Sequence, residues 1–155
     1  MEAIVNQIHK LLIKSNSTIS AAESCTGGIL ASLLTQYSGS SQYFVLGLIT
    51  YSNAAKTGVL KISKALIERK GAVSQEVARA MAKGVRRLAK TDFALSTTGI
   101  AGPTGGSMQK PVGTVFIAIA SKNKLICKKF HFKGSRSAIR KSAALKSLEL
   151  LKTIL

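Results

Sequence analysis

The chain has few of the residues on which disulfide, zinc and histidine-based sites depend. Its 155 residues include two cysteines, two histidines and no tryptophan. Cys25 and Cys127 lie far apart, and the sequence has no Cys-x-x-Cys motif or mixed Cys/His cluster. We therefore expect neither a disulfide framework nor a bound metal. Cys127 is interpreted as a small apolar core residue, whereas Cys25 adjoins a serine and is kept as a minor candidate nucleophile.

Acidic residues are also scarce, with 6 Asp and Glu against 23 Lys and Arg, which gives a formal net charge of +17. Such a charge suits a nucleic-acid binder, which gains affinity by releasing counterions, or it is solvated surface charge in a lysine-rich chain. The basic residues are spread from Lys10 to Lys152 without a run of five, and stacking aromatics make up only 5% of residues. We therefore expect no nucleic-acid partner, although the positive field favours anionic small substrates.

Long apolar runs are absent as well. No stretch reaches the roughly 18 uncharged residues that a membrane span requires, so we expect no membrane partner. Residues 1–5 lack the basic start and following apolar run of a signal peptide, which favours a cytoplasmic protein. The length fits one domain, and we expect residues 1–155 to form it.

Apolar periodicity predicts strands that alternate with helices. We expect helices at 2–15, 26–36, 53–59, 63–70, 75–89 and 136–154. We expect strands at 18–22, 43–51, 93–97, 113–121 and 125–132. The short connection between the last two strands predicts an antiparallel hairpin, and the apolar strand 43–51 is expected to be covered on both faces. The fold class is therefore α/β, a three-layer α/β/α sandwich with a mixed sheet.

Two glycine-containing segments stand at predicted strand ends. Residues 22–28, Ala-Glu-Ser-Cys-Thr-Gly-Gly, place Ser24 where a strand gives way to a helix. Such a turn exposes a hydroxyl and directs backbone N–H groups at it, and paired glycines allow close approach. Residues 98–106 match neither a Walker loop nor Gly-x-Gly-x-x-Gly. They still offer N–H groups to a phosphate or an oxyanion, although a wide surface turn is the alternative.

A serine nucleophile needs a neighbouring base, and the sequence supplies few. A Ser-His-Asp triad would require His9 or His131, with Asp92 as the only aspartate. The Ser-x-x-Lys pattern is absent, because Gly27 stands three residues after Ser24. The base is therefore sought elsewhere in the chain.

Lys56 is the candidate base. It follows the strand expected to end at Tyr51, and loops at the carboxyl ends of strands carry function in open α/β sheets. Burial or nearby positive charge must lower the pKa of this lysine, because only the neutral amine accepts a proton. Tyr51 is expected to hydrogen-bond either group and relay a proton. The alternative for Lys56 is an ordinary solvated lysine.

Arg136 and Arg140 lie at the start of the last predicted helix, within reach of a phosphate bound at the same rim. A guanidinium presents a planar set of donors that matches phosphate oxygens. The alternative for each is a solvated surface charge.

Five segments make the sequence recognisable when taken together. They are 22–28 (AESCTGG), 50–56 (TYSNAAK), 71–74 (GAVS), 98–103 (TGIAGP) and 110–115 (KPVGTV). In this order they resemble the C-terminal domain of the competence/damage-inducible protein CinA, over about residues 3–153. Stand-alone members of that family resemble nicotinamide-nucleotide amidases, and the N-terminal domain of longer relatives is not expected here.

The resemblance implies hydrolysis of the carboxamide of nicotinamide mononucleotide to nicotinate mononucleotide and ammonia, in pyridine-nucleotide salvage. It implies Ser24 as nucleophile, Lys56 as base and Tyr51 as an assisting residue, with no metal or organic cofactor. The expected substrate-binding residues are Thr26, Gly27, Gly28, Thr98, Gly99, Gly102, Arg136 and Arg140. We also expect a homo-oligomer. The alternatives are a non-catalytic nucleotide-binding module, a competence- or DNA-damage-associated module, and an amidase for another substrate.

Overall fold

A computed structural model describes residues 2–155. The helices are α1 (Glu2–Lys14), α2 (Ile29–Leu34), α3 (Asn53–Leu60), α4 (Lys64–Lys70), α5 (Gln75–Ala89) and α6 (Arg136–Lys152). The strands are β1 (Ile19–Glu23), β2 (Phe44–Ile49), β3 (Phe93–Gly99), β4 (Thr114–Ala120) and β5 (Leu125–His131). The predicted order of elements is confirmed. No helix in this range is both long enough and apolar enough to cross a bilayer.

The five strands form one mixed sheet in the order β2-β1-β3-β4-β5. β1 pairs parallel with β2 and β3, whereas β4 runs antiparallel to both β3 and β5. Helices α1, α2 and α6 pack together on one face, and α5, with α3 and α4 against it, covers the other. The predicted three-layer α/β/α architecture and the β4–β5 hairpin are therefore confirmed.

This topology brings three strand ends to one rim of the sheet. The carboxyl ends of the parallel strands β1, β2 and β3 meet there, so the segments that follow them become neighbours. Ser24 follows β1, Tyr51 follows β2, and the glycine-rich loop from Gly99 follows β3.

The environment of β2 differs from the expectation that both its faces are covered. β2 is an edge strand, and its residues alternate between half-buried and exposed. Val45 and Ile49 are 53% and 56% exposed. A continuous apolar run therefore indicated a doubly covered strand where only one face packs against the core. The expected homo-oligomer stays a prediction.

The start of α2 also differs from its prediction. Residues 26–28 were expected to open this helix, but Gly27 and Gly28 adopt φ values of +56° and +99°, in the left-handed region. The right-handed helix begins only at Ile29. The two glycines thus form a turn between Ser24 and the helix, which frees this backbone from the helical ladder.

Candidate active site

Ser24 and Lys56 meet at the rim of the sheet. The Lys56 Nζ lies 3.1 Å from the Ser24 Oγ, although the two residues are 32 positions apart. Ser24 stands directly after β1, and its N–H donates to the Thr97 carbonyl of the neighbouring strand at 2.9 Å. The proximity expected between this serine and this lysine is therefore present.

Helix α3 delivers the lysine to this position. The Ser52 side chain caps the helix by accepting a hydrogen bond from the Ala55 N–H at 3.0 Å. Lys56 follows within the first turn, and it shares the buried side of the short helix with Leu60. From α3 the lysine side chain reaches Ser24, which directly follows β1.

Lys56 is almost fully buried, with 1% of its surface exposed. Its Nζ donates hydrogen bonds to the carbonyls of Thr50 at 2.9 Å and Tyr51 at 3.1 Å, besides its contact with Ser24. Burial lowers the pKa of the Lys56 ammonium, because the charged form loses hydration. Both conditions set for a lysine base, contact with the serine and a lowered pKa, are thus met.

Cys25 is poorly suited to compete with the serine. Its side chain is 5% exposed, and burial raises the pKa of the thiol to about 12. At neutral pH the group therefore stays a thiol, and the thiolate is the nucleophilic form. This favours Ser24 over Cys25. Cys127 is unpaired, and burial raises the pKa of its thiol to about 11.

The Tyr51 hydroxyl points away from the serine–lysine pair. It accepts a hydrogen bond from the Arg136 Nη2 at 2.8 Å, and no hydrogen bond joins it to Ser24 or Lys56. The backbone carbonyl of Tyr51 is what contacts the amine. The hydrogen bond that a proton relay through the Tyr51 hydroxyl would need is therefore not formed in this structure. The assisting role of Tyr51 stays a prediction.

The two arginines of α6 reach the same rim. The Arg136 Nη1 donates to the Gly102 carbonyl at 2.8 Å, so this side chain links the glycine-rich loop to Tyr51. The Arg140 Nη2 donates to the Thr26 carbonyl at 2.9 Å. Both guanidinium groups therefore border the turn and loop that flank Ser24, and their expected role in binding a phosphate stays a prediction.

Gly27 adopts a left-handed backbone conformation where Arg140 crosses the turn. A Cβ at this position would lie 2.9 Å from the Arg140 Nη2, and its φ of +56° disfavours side chains. We expect Gly27→Ala to lower the free energy of unfolding by about 1–2 kcal/mol. Gly58→Ala is the matched control, because a Cβ there meets nothing within 4 Å and helix propensity adds up to about 1 kcal/mol. Urea unfolding of both variants checks this; equal stability would contradict it.

The remaining predicted substrate-binding residues lie at the rim but differ in what they offer. The Thr98 hydroxyl donates to the Ala72 carbonyl at 2.8 Å and is buried, so it faces the α5 side of the sheet. Gly99 packs against β4, where a Cβ would lie within 3 Å of Val115. Gly28 donates its N–H to a carboxylate. For these residues a role in binding stays a prediction.

The backbone of the turn leaves two donors unused. The N–H of Gly27 donates to the Ser24 carbonyl at 3.2 Å. The N–H groups of Cys25 and Thr26 donate to no backbone carbonyl within residues 2–155. Because backbone N–H groups normally find an acceptor, these two are candidate donors to an external acceptor beside Ser24.

Sequence reasoning missed Glu23 and Thr97, whose hydrogen bonds stabilise the turn that contains Ser24. Glu23 is 1% exposed and accepts four hydrogen bonds at the start of α2. A signal was present, since an acid in a chain with only 6 of them precedes the serine and a glycine turn. Thr97 carried no comparable signal.

The histidines take no part in this site. His9 Nδ1 lies 3.2 Å from the Tyr43 hydroxyl on the α1 side, and His131 is exposed on β5. Among residues 2–155, no three His, Cys, Asp or Glu side chains come together as a metal-binding group.

Fold and site together define an α/β protein with a serine–lysine pair at the rim of a mixed sheet. Solved structures share this fold. The competence/damage inducible protein CihA from Agrobacterium tumefaciens gives a TM-score of 0.96 at 35% identity, covering 99% of this chain and 94% of that one. A CinA superfamily protein from Escherichia coli gives 0.94 at 33% identity, covering 98% and 88%.

Sequence comparison agrees with the structural likeness. Residues 1–155 match the CinA C-terminal domain family. CinA-like proteins from Geotalea daltonii and Geobacter sulfurreducens are 48% identical over 151 and 145 residues, or 97% and 94% of this chain. The chain therefore belongs to the CinA C-terminal domain family, and the resemblance drawn from its motifs is confirmed. It spans 37% and 35% of the length of these two relatives.

Proposed function

We propose that this protein is an amidohydrolase that converts nicotinamide mononucleotide to nicotinate mononucleotide and ammonia, with Ser24 as nucleophile and Lys56 as general base. The observation that carries the proposal is the 3.1 Å contact between the Ser24 Oγ and the Nζ of a buried lysine. The substrate follows from the resemblance to nicotinamide-nucleotide amidases. The role in pyridine-nucleotide salvage follows with it.

The surroundings of Lys56 suit both states of a base. The ammonium donates its three protons to Ser24 and the carbonyls of Thr50 and Tyr51. When the amine is neutral, the carbonyls still accept its two protons, because a carbonyl cannot donate. The lone pair is then left facing the Ser24 hydroxyl. The two carbonyls thereby aim the amine at the nucleophile.

The reaction follows in balanced steps. Neutral Lys56 takes the proton of the Ser24 hydroxyl as the oxygen attacks the carboxamide carbon. The ammonium then gives this proton to the amide nitrogen, which leaves as ammonia. Water next attacks the acyl ester on Ser24, and Lys56 accepts one of its protons. The ammonium gives that proton to the serine oxygen as the product departs as a carboxylic acid, which releases its remaining proton to solvent.

The developing oxyanion needs donors beside the nucleophile. We assign this role to the N–H groups of Cys25 and Thr26, which follow Ser24 directly and donate to no backbone carbonyl within residues 2–155. Donors fixed in advance stabilise charge that develops in the transition state, and each is worth about 10²–10³ in rate.

The nucleotide phosphate is assigned to Arg136 and Arg140, which border the same rim. Arg136→Met is expected to raise KM for nicotinamide mononucleotide about tenfold or more, because it removes charge-assisted hydrogen bonds. KM for the unphosphorylated nucleoside should change far less. Lys141→Met is the control, because this lysine is exposed one residue beyond Arg140. Equal increases for both substrates would contradict a phosphate contact.

The decisive experiment is an ammonia-release assay with nicotinamide mononucleotide across a range of pH. Release of stoichiometric nicotinate mononucleotide supports the proposal. Saturable binding of the nucleotide without ammonia release at any pH would instead favour a non-catalytic binding module.

The proposal places the protein in the cytoplasm, because Cys25 and Cys127 are unpaired thiols and suit a reducing compartment.

A further inference from the structure

Glu23 is a buried carboxylate that the chemical steps do not use. It ends β1 and directly precedes the nucleophile. Its Oε2 accepts hydrogen bonds from the Thr26 hydroxyl at 2.6 Å and the N–H groups of Gly28 at 3.0 Å and Leu30 at 3.1 Å. Its Oε1 accepts from the Ala31 N–H at 2.8 Å. The donors all lie beyond Ser24, so one side chain ties the strand before the serine to the helix after it.

No lysine or arginine within residues 2–155 forms an ion pair with Glu23. A buried carboxylate without a cation needs several hydrogen bonds in its place, because burial removes its hydration. Backbone N–H groups at the start of α2 supply three of these bonds. The negative charge of Glu23 is therefore stabilised by the start of α2, and the same hydrogen bonds hold that segment in position.

A second set of hydrogen bonds extends from Glu23 to the neighbouring strand. The Thr26 hydroxyl has one proton, which it donates to Glu23, because a carboxylate can only accept. The Thr26 oxygen must then accept from the Thr97 hydroxyl at 2.7 Å. The carbonyl of Thr97 accepts the N–H of Ser24. The backbone of Ser24 is thus hydrogen-bonded directly to β3, and the Glu23 carboxylate is linked to β3 through the hydroxyl groups of Thr26 and Thr97.

We propose that Glu23 is the positioning residue for Ser24: its buried carboxylate holds the 24–28 turn so that the Ser24 Oγ stays within hydrogen-bond distance of Lys56. This inference rests on the proposed function, because it assigns Glu23 a role in that same reaction. Glu23 acts through the turn and contacts no reacting atom.

The chemistry of the carboxylate makes the proposal specific. Glutamine has nearly the same shape, but one of its two terminal atoms is an NH₂ group that donates. Four donors face Glu23, on both of its oxygens. In Glu23→Gln at least one donor must meet another donor, so the turn shifts while the volume of the core is conserved. A displacement on the order of 1 Å can cost about 10²-fold in rate.

The experiment compares Glu23→Gln with Asp92→Asn. Asp92 is the comparison carboxylate: it is exposed, and its Oδ2 accepts the N–H and hydroxyl of Thr18, both at 2.8 Å, at the opposite ends of β1 and β3. We expect Glu23→Gln to lower kcat about 10²-fold with less than a threefold change in KM. Asp92→Asn should lower the unfolding midpoint but keep kcat. If both variants lose rate in proportion to stability, Glu23 is merely structural and the proposal is overturned.

Labelling by a small fluorophosphonate ester separates this proposal from the proposed function. Wild-type protein that is labelled at Ser24 but releases no ammonia refutes the amidase function alone, and Glu23→Gln should still be labelled far more slowly. Labelling of that variant at the wild-type rate overturns the positioning role alone. Wild-type protein that neither reacts nor hydrolyses overturns both.

Two further readouts keep the test decisive if Glu23→Gln unfolds or acts through charge. Thr97→Val, which removes the hydroxyl that donates to Thr26, should lower the labelling rate more than Thr97→Ser, which keeps it. Equal rates in this pair would count against the hydrogen-bonded path.

A positional effect also leaves the acidic limb of the pH profile in place. A shifted limb with full kcat would show an electrostatic effect instead.

Discussion

Replacing Ser24 by alanine is expected to lower kcat for ammonia release on the order of 10⁴-fold or more. The hydroxyl supplies the atom that forms the acyl ester, and no other group within residues 2–155 hydrogen-bonds to the Lys56 amine except two backbone carbonyls, which cannot attack. The residual rate reflects substrate binding and the oxyanion donors of the turn, which remain. Single-turnover measurements with nicotinamide mononucleotide should show no acyl-enzyme in the variant.

Ser32→Ala is the matched control, because Ser32 is exposed on α2 and its side chain makes no hydrogen bond within residues 2–155. This variant should keep the wild-type rate. Peptide mapping of the fluorophosphonate-labelled wild type then locates the nucleophile directly. Ammonia release by Ser24→Ala at more than one-hundredth of the wild-type rate, or a label on Cys25, would remove Ser24 from its assigned role.

The serine–lysine pair was predicted from its position at strand ends together with the family resemblance. Parallel strands recur where apolar runs alternate with helices, and their carboxyl ends meet at one edge. Ser24 and Lys56 each follow such a run closely, which made Lys56 a candidate, and the resemblance singled it out among the 23 basic residues. Their 3.1 Å contact depends on the rotamer of a buried lysine, which no sequence pattern encodes.

Details that depend on side-chain direction were not accessible in the same way. Tyr51 follows β2 as expected, but its hydroxyl pairs with Arg136, which lies 85 positions further along the chain. That partner is determined by how α6 packs over the rim, and no local pattern encodes it. The same holds for Thr98, whose hydroxyl faces Ala72 on the far layer.

The errors in β2 and α2 have distinct physical causes. A continuous apolar run predicts a strand, but it does not show whether both faces of that strand are covered by helices. In an edge strand such as β2, apolar residues including Val45 stay exposed. Two consecutive glycines allow either a helical start or a left-handed turn. Glu23 decides between them here, because its carboxylate accepts the Gly28 N–H outside the helical ladder.

Lys56→Met is expected to lower kcat by about 10²–10⁴-fold, because methionine fills a similar buried volume but cannot accept a proton. Lys64→Met is the control, since the Lys64 side chain is 82% exposed and pairs only with Glu68 at the surface. The wild-type rate should rise with pH through the lowered pKa of Lys56. The variant should lack this limb. A pH profile that keeps it in Lys56→Met would assign the base to another group.

Stability provides an independent check on the same lysine, and its sign follows from burial. The pKa of Lys56 is lowered in the folded protein, whereas in the unfolded chain it takes the ordinary value of about 10.4. Between these two values the unfolded state binds more protons, so the free energy of unfolding rises with pH in that window. Below it, the buried ammonium carries a constant cost.

Lys56→Met removes the free-energy cost of burying the ammonium, and with it the rise in stability that follows when the ammonium loses its proton at higher pH. We therefore expect the stability of the wild type relative to the variant to rise as the pH approaches 10, in addition to a pH-independent loss in the variant from the two carbonyls that it leaves unpaired. Denaturant unfolding at several pH values measures this difference, with Lys64→Met as the reference for an exposed lysine. A stability difference between the two proteins that stays constant from neutral pH to pH 10 would show that folding does not lower the pKa of Lys56, and it would count against the role of Lys56 as the base.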